Sequence, residues 1–386
     1  MTLDERWQKV QRLLALRLDN LGDVLMTGPA LRALRQALPQ ASLTLMVSPA
    51  GQEAAALLPW ADRILAWRTL WQDLGDLPFD PAREFHLIRT LRAERFDAAI
   101  IFTSFSQSPH VAAYACYLAG IPLRLGEPKD FAGRVLSDMP LTPGALEMHQ
   151  VDRNLRLLES IGISCVDRSL AVQIPPEAWA RAATLLAQHG LPPGAPYLLL
   201  CPWTSCQART YPRFGAAGRL LCQASGLLAV VVGSRQPGDR AASLMRELGP
   251  HAIDLVGQTS FATLAALVAG ARLVVTNNTA TMHLADATLT PQVVLFAGTE
   301  LEKQWAPRRG PARLLRRPTP CQPCFEFTCP QDLACLAIEP EEVVAEALEL
   351  LTDSGGDGSP AVPSPLQGEG ASPPLNFLRG KEPSYG

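Results

Sequence analysis

Three short stretches carry residues suited to handling an anion and a proton. Residues 276–287, Thr276-Asn277-Asn278-Thr279-Ala280-Thr281-Met282-His283-Leu284-Ala285-Asp286-Ala287, follow an apolar run at 273–275 and lead into a helical pattern. A strand that ends in small hydroxyl and amide residues before a helix exposes backbone N–H groups and a positive dipole end. That arrangement binds phosphate without a metal, although such a turn can do no more than cap its helix. His283, one turn in, could reach a phosphate or serve the interior. After the apolar run 197–201, Thr204 and Ser205 offer hydroxyls, and Arg209 offers a bidentate cation matched to phosphate oxygens. A lone loop arginine is more often a solvated charge.

The run 12–18 leads into Asp19-Asn20-Leu21-Gly22-Asp23. Ligands of open parallel sheets bind at the carboxyl ends of the strands, which is where Asp23 falls. Two roles stand level for this segment: a catalytic carboxylate at Asp23, or simple helix capping by Asp19 or Asp23. A weaker constellation follows 228–232, where Gly233 and Ser234 would let a nucleoside approach the backbone and Asp239 could accept from ribose hydroxyls.

These turns need elements to hold them. Apolar runs of strand length fall at 12–18, 43–47, 63–67, 97–102 and 121–125, and again at 197–201, 228–232, 252–255, 272–276 and 292–296. Amphipathic stretches such as 30–38, 82–95, 108–119, 177–189, 214–225, 239–248 and 260–270 separate them, and a last helix is expected at 340–351. Strands apolar on both faces, alternating with helices, predict parallel sheets covered on both sides. Two Rossmann-like domains are expected, 1–175 and 176–352, followed by a Ser/Gly/Pro-rich tail, 353–386, whose composition predicts disorder.

With 386 residues, 47% hydrophobic and 18% charged, the chain has the makeup of a soluble globular protein. A net charge of -3 with no basic block argues against nucleic acid as a partner. The early residues Asp4, Glu5, Arg6 and Lys9 suit neither a signal peptide nor a membrane span, so residence in the cytoplasm is expected. Nine cysteines in such a chain do not read as a disulfide framework. Four of them, Cys321, Cys324, Cys329 and Cys335, have spacings that could form a structural zinc site, against reduced thiols or a local disulfide.

The segments RLDNLGDVLMTGPALRAL, ARTYP, NNTATMHLADA, PQVVLFAGTE and CQPCFEFTCPQDLACLAIEPEEVVAEAL together resemble glycosyltransferase family 9, the heptosyltransferase-like enzymes of lipopolysaccharide core assembly. The resemblance spans roughly 12–350 and implies a GT-B fold: two Rossmann-like domains with parallel sheets facing across a cleft. It implies acceptor binding by the N-terminal domain and donor binding by the C-terminal one. By position, Asp23 matches the family's general base, Arg209 its basic residue on the donor diphosphate, and Thr279, Ala280, Met282 and His283 lie in the turn around that diphosphate. Two departures stand out. Arg209 replaces a lysine, and Asn278-Thr279-Ala280-Thr281 replaces Asp-Thr-Gly-Pro, which changes charge and backbone freedom beside the donor.

The activity implied is inverting transfer from a nucleotide-diphosphate sugar, ADP-heptose foremost, to a lipid-linked or glycan acceptor, with peripheral contact at the inner membrane face. No Asp-x-Asp pair occurs in the chain, so a metal-independent route with no catalytic cofactor fits. An acidic acceptor would call for cations, and Arg63, Arg68, Arg89, Arg124 and Arg134 are candidates. Rival readings are another donor or acceptor within the family, a nucleotide-sugar epimerase or hydrolase, and a non-catalytic binder.

Overall fold

The computed structural model describes residues 2–73, 75, 77–105, 107–131, 133–140, 147–235 and 239–353, together with the backbone of 376–379. The chain divides into two compact units, Met1–Ala171 with Gly370–Gly386, and Val172–Glu369. The first unit carries β1 (Arg12–Arg17), β2 (Ser42–Val47), β3 (Arg63–Ala66), β4 (Ala98–Ile101) and β5 (Leu123–Gly126), all parallel, in the order β3-β2-β1-β4-β5. The second carries β6 (Tyr197–Cys201), β7 (Leu228–Val231), β8 (Ala252–Asp254), β9 (Leu273–Asn277), β10 (Gln292–Leu295) and β11 (Ala312–Leu315), parallel in the order β11-β10-β9-β6-β7-β8. A further strand, β12 (Asn376–Arg379), pairs in parallel with β3. The rest of the tail expected to be disordered lies outside the described residues.

In both sheets the chain starts at a central strand, steps outward to one edge, and then returns to build the other side. The ends of β1 and β4 in the first sheet, and of β6 and β9 in the second, are therefore neighbours at the carboxyl edge where strand order reverses. Ligands of doubly wound sheets settle at that point.

The interior follows from strands that are apolar on both faces. In the first unit Leu14, Leu16, Met46, Ala99 and Ile101 pack under Leu87 and Leu91 of the helix Pro81–Glu94 and Ala113 and Cys116 of the helix His110–Leu118. Pro81 opens its helix where no amide partner is needed, and the Asp80 carboxylate accepts from the Ala82 and Arg83 N–H groups at 3.0 and 3.4 Å. In the second unit Leu198, Leu200, Val231, Val275 and Leu295 pack against Phe214 and Leu221 of the helix Phe214–Ser225 and Val343, Ala347 and Leu350 of the helix Pro340–Asp353. No helix among the described residues is long and apolar enough to cross a membrane.

Asp286, on the helix Ala280–Thr288, fixes the approach to β11. Its buried Oδ1 accepts from the Arg308, Arg309 and Gly310 N–H groups at 3.0, 2.8 and 3.0 Å. Asp286→Ala leaves three amides without that acceptor and should cost about 2–3 kcal/mol. The urea midpoint should fall with the slope unchanged; an unmoved midpoint would show that water replaces the carboxylate without loss.

Candidate functional site

Each unit presents polar residues at the carboxyl edge of its sheet. In the first, Arg17 ends β1 with no exposure. Its Nη2 donates to Asp23 Oδ1 at 2.7 Å and to Ser104 Oγ at 2.8 Å, and its Nε lies 2.8 Å from Asp19 Oδ2, off the line of a hydrogen bond. Ser104 Oγ donates to the same Asp23 oxygen at 3.3 Å. Gln107, in the same loop after β4, ties the two halves together: its amide donates to Asp19 Oδ1 and its Oε1 accepts the Ser104 N–H at 3.0 Å. Ser48, after β2, donates to the Asp19 carbonyl at 2.8 Å.

Neither aspartate caps the short helix Leu21–Leu25. Asn20 holds the cap position without a side-chain bond, and Asp23 sits in the first turn with its carboxylate turned to Arg17 and Ser104. The capping alternative therefore fails. Asp23 keeps 16% side-chain exposure, and its two contacts both fall on Oδ1, so Oδ2 has no partner among the described residues. Asp19 is nearly enclosed. Burial pushes its carboxyl above the ordinary range, against the pull of Arg17, and the Asp23 charge adds to the rise.

The five arginines considered for an acidic acceptor do not gather here. Arg63 begins β3, at the sheet edge opposite Asp23, and is bidentate with Glu94 at 2.7 and 2.9 Å. Arg124 is buried and donates to the carbonyls of Val135, Ile121 and Pro122, each at 2.7 Å, so it fastens a loop. Arg68 pairs with Asp73 at 2.6 Å, and Arg89 and Arg134 are exposed. Arg134 follows β5, as do Lys129 and the buried Arg153, which both pair with Glu127 at 3.0 and 2.7 Å. Burial opposes the Glu127 charge, yet the Arg153 and Lys129 hydrogen bonds outweigh it and hold the carboxyl at about 2. Nε and Nη1 of Arg153 are buried without a hydrogen-bond partner among the described residues.

In the second unit Asn277 ends β9 with no exposure. Its Oδ1 accepts the Tyr211 N–H at 3.0 Å and its Nδ2 donates to the Pro202 carbonyl at 2.9 Å, so the loop after β6 is pinned to β9. Asn278 accepts the Ala297 N–H at 3.2 Å and donates to Glu300 Oε2 at 3.2 Å, while Arg209 Nη2 meets Glu300 Oε1 at 3.2 Å. Glu300 thus joins Arg209 to Asn278. Thr279 caps the helix Ala280–Thr288 in extended geometry and makes no side-chain cap bond, so that side chain does not satisfy the first-turn amides.

The other expected donor residues divide. Ala280 lies half-buried at the helix start, and Met282 and His283 are buried behind it. Thr204 Oγ1 is taken up within its own turn by Cys206 and Thr210, whereas Ser205 is exposed. Gly233 has a cause of its own: a Cβ there would stand 3.0 Å from the Trp203 ring. Ser234 and Asp239 are exposed, and Asp239 makes no cap bond to the helix Arg240–Leu248.

The cysteine segment has a structural task that spacing did not reveal. The Phe327 carbonyl accepts the Ala208 N–H at 3.0 Å and the Cys329 N–H donates to Gln207 Oε1 at 2.9 Å, bracing the turn that carries Arg209. Cys335 is buried in the second core while Cys321 is exposed, and no three His, Cys, Asp or Glu among the described residues are grouped to hold a metal. A cavity of about 620 Å³ lined by Trp179, Leu186, Tyr197, Leu227 and Leu351 opens at the amino edge of the second sheet, away from Arg209.

Arg17, Ser104, Gln107, Glu300, Lys129 and Arg153 were missed as site residues. Arg17 could have been found as a charge closing an otherwise apolar strand, and Glu300 as the last residue of PQVVLFAGTE; Ser104, Gln107 and Lys129 lie in loops with no local signal, and Arg153 sits on the buried face of the helix Gln150–Glu159.

The profile of glycosyltransferase family 9 (heptosyltransferase) matches residues 84–334. Lipopolysaccharide heptosyltransferase 1 of Pseudomonas aeruginosa is 27% identical over 338 residues, 82% of this chain and 87% of that protein. Among solved structures, Escherichia coli ADP-heptose lipopolysaccharide heptosyltransferase II superposes with a TM-score of 0.71 at 21% identity, covering 90% of this chain and 100% of that one. E. coli heptosyltransferase WaaC with ADP gives 0.64 at 20% identity, covering 88% and 100%. With the family profile matched over more than half its length, the chain belongs to glycosyltransferase family 9, and it is a glycosyltransferase of the GT-B fold.

Proposed function

We propose that the protein is an inverting, metal-independent glycosyltransferase that moves heptose from ADP-heptose to a lipopolysaccharide-core or related glycan acceptor at the inner membrane face. The observation that carries this is the Asp23 carboxylate, fixed through Oδ1 by Arg17 and Ser104 with Oδ2 left uncommitted. A base must be held in place and still have an oxygen to receive a proton. The donor assignment is supported by the E. coli relatives, one described as an ADP-heptose enzyme and one solved with ADP.

Asp23 Oδ2 takes the proton of the acceptor hydroxyl. The freed oxygen pair bonds to the anomeric carbon as the bond to the diphosphate breaks on the opposite face, and that electron pair leaves with ADP. One displacement inverts configuration. Arg209 exchanges Glu300 for diphosphate oxygens, and the first amides of the helix Ala280–Thr288 add the dipole's positive end. Lys129 and Arg153 are better placed than Arg63 or Arg124 to meet an acidic acceptor. A second reading, a different donor sugar or acceptor within the family, is favoured by Asn278, whose amide is taken up by Ala297 and Glu300. A thermal-shift panel of nucleotide sugars tests the donor directly.

Asp23→Ala should lower acceptor-dependent ADP release by about 10²–10⁴-fold with ADP-heptose affinity nearly unchanged; wild-type turnover would remove Asp23 from this role. Arg209→Ala should weaken donor affinity about tenfold and slow the chemical step about 10²-fold. If neither moves, the arginine is a surface charge. Turnover should survive excess EDTA, and loss of activity restored by a divalent cation would refute the metal-free route.

A further inference from the structure

Asp19 has no part in the proton transfer just described, yet it shares Arg17 with the residue that does. Its side chain is 5% exposed, its Oδ2 lies 2.8 Å from Arg17 Nε, and its Oδ1 accepts from Gln107. A carboxylate alone beside a buried guanidinium binds protons poorly, because the cation stabilises the ionised form. Asp23, held at 2.7 Å by an arginine with no exposure, would suffer that penalty in full if Arg17 served it only. A base disabled by its own anchor cannot accept a hydroxyl proton.

We propose that Asp19 is a positioning residue that offsets the Arg17 charge, so that Asp23 is held by the guanidinium while remaining basic enough to take the acceptor's proton. The inference rests on Asp23 being the base. The groups facing the pair are few. Arg17 comes from β1 and Ser104 and Gln107 from the loop after β4, and Ser48, from the loop after β2, touches only the Asp19 backbone. Arg17 is the one cation in contact with either carboxylate among the described residues. Enclosure pushes the Asp19 carboxyl upward and so works against its charge, while the Arg17 guanidinium and the Gln107 hydrogen bond pull the other way and favour the ionised form.

Asp19→Asn keeps the shape and removes the charge. Two readouts separate the inference from the function it rests on. In full-length protein with ¹³C-labelled aspartate carboxyls, the Asp23 signal, assigned by its loss in Asp23→Asn, should titrate at lower pH in Asp19→Asn than in wild type, with no substrate present. In ADP release from ADP-heptose with a heptose-free lipopolysaccharide core as acceptor, the acid limb of kcat/KM should move down by about one to two pH units. The plateau should fall about three- to tenfold, since a weaker base draws the proton less strongly, with KM for ADP-heptose unchanged. Asp19→Glu should restore both. If Asp19→Asn does not fold, Asp19→Ser, which also removes the charge, should move the Asp23 titration in the same direction. An unmoved Asp23 titration in the variant that folds overturns the inference even if Asp23→Ala is inactive. A moved titration with wild-type turnover in Asp23→Ala overturns the base assignment, and with it any catalytic meaning for Asp19.

Discussion

A guanidinium with no contact with water must be matched by anions or the fold around it fails, and Arg17 is such a group. Stranding a buried charge costs about 3–5 kcal/mol, so the first unit cannot place its β1 and β4 loops independently of this residue. Asp19, Asp23, Ser104 and Gln107 take their positions from it directly or through one another. The chemistry proposed for Asp23 is a by-product of a structural necessity: the anions that stabilise Arg17 are brought to the carboxyl edge of the sheet, where strand order reverses and a ligand can arrive.

The second unit solves the same problem without a buried cation. Asn277 binds a neighbouring backbone N–H with one side-chain atom and a backbone carbonyl with the other. An amide can do both at once, whereas a carboxylate could only accept. Glu300 then occupies both Arg209 and Asn278, so the site proposed for the diphosphate begins with its charge internally paired. A ligand with more negative charge than one carboxylate competes well there.

Most of the framework was legible because parallel strands buried on both faces leave near-continuous apolar runs. β1, β6 and β9 stand within a residue of the runs that predicted them. β11 was not legible: it is an edge strand, Ala-Arg-Leu-Leu, with a single buried residue and hence no apolar run. At the sites, residues directly after a strand could be read, Asp23 and Asn278 among them, because the end of a strand restricts the residues next in the chain. Their partners could not. Ser104 and Gln107 stand 81 and 88 residues from the aspartates they touch, and nothing in their own neighbourhood marks them. The places of Arg63 and Arg124 could not be read for a related reason. Composition shows that a cation exists, but only the sheet tells which edge it occupies, and Arg63 begins its strand where a site residue would have to come after one.

Tyr211, two residues beyond Arg209, is held at both ends: its N–H by Asn277 and its hydroxyl, at 2.8 Å, by the Ile338 carbonyl. Its buried phenol belongs to the core of the second unit. The backbone that carries the arginine is thereby moored to the interior, and the span left free is only the side chain itself. On the proposed reading, capture of a phosphate would demand no loop rearrangement. Only the guanidinium would have to pass from one anion to another, so admission of the donor would be limited by how readily Glu300 lets go.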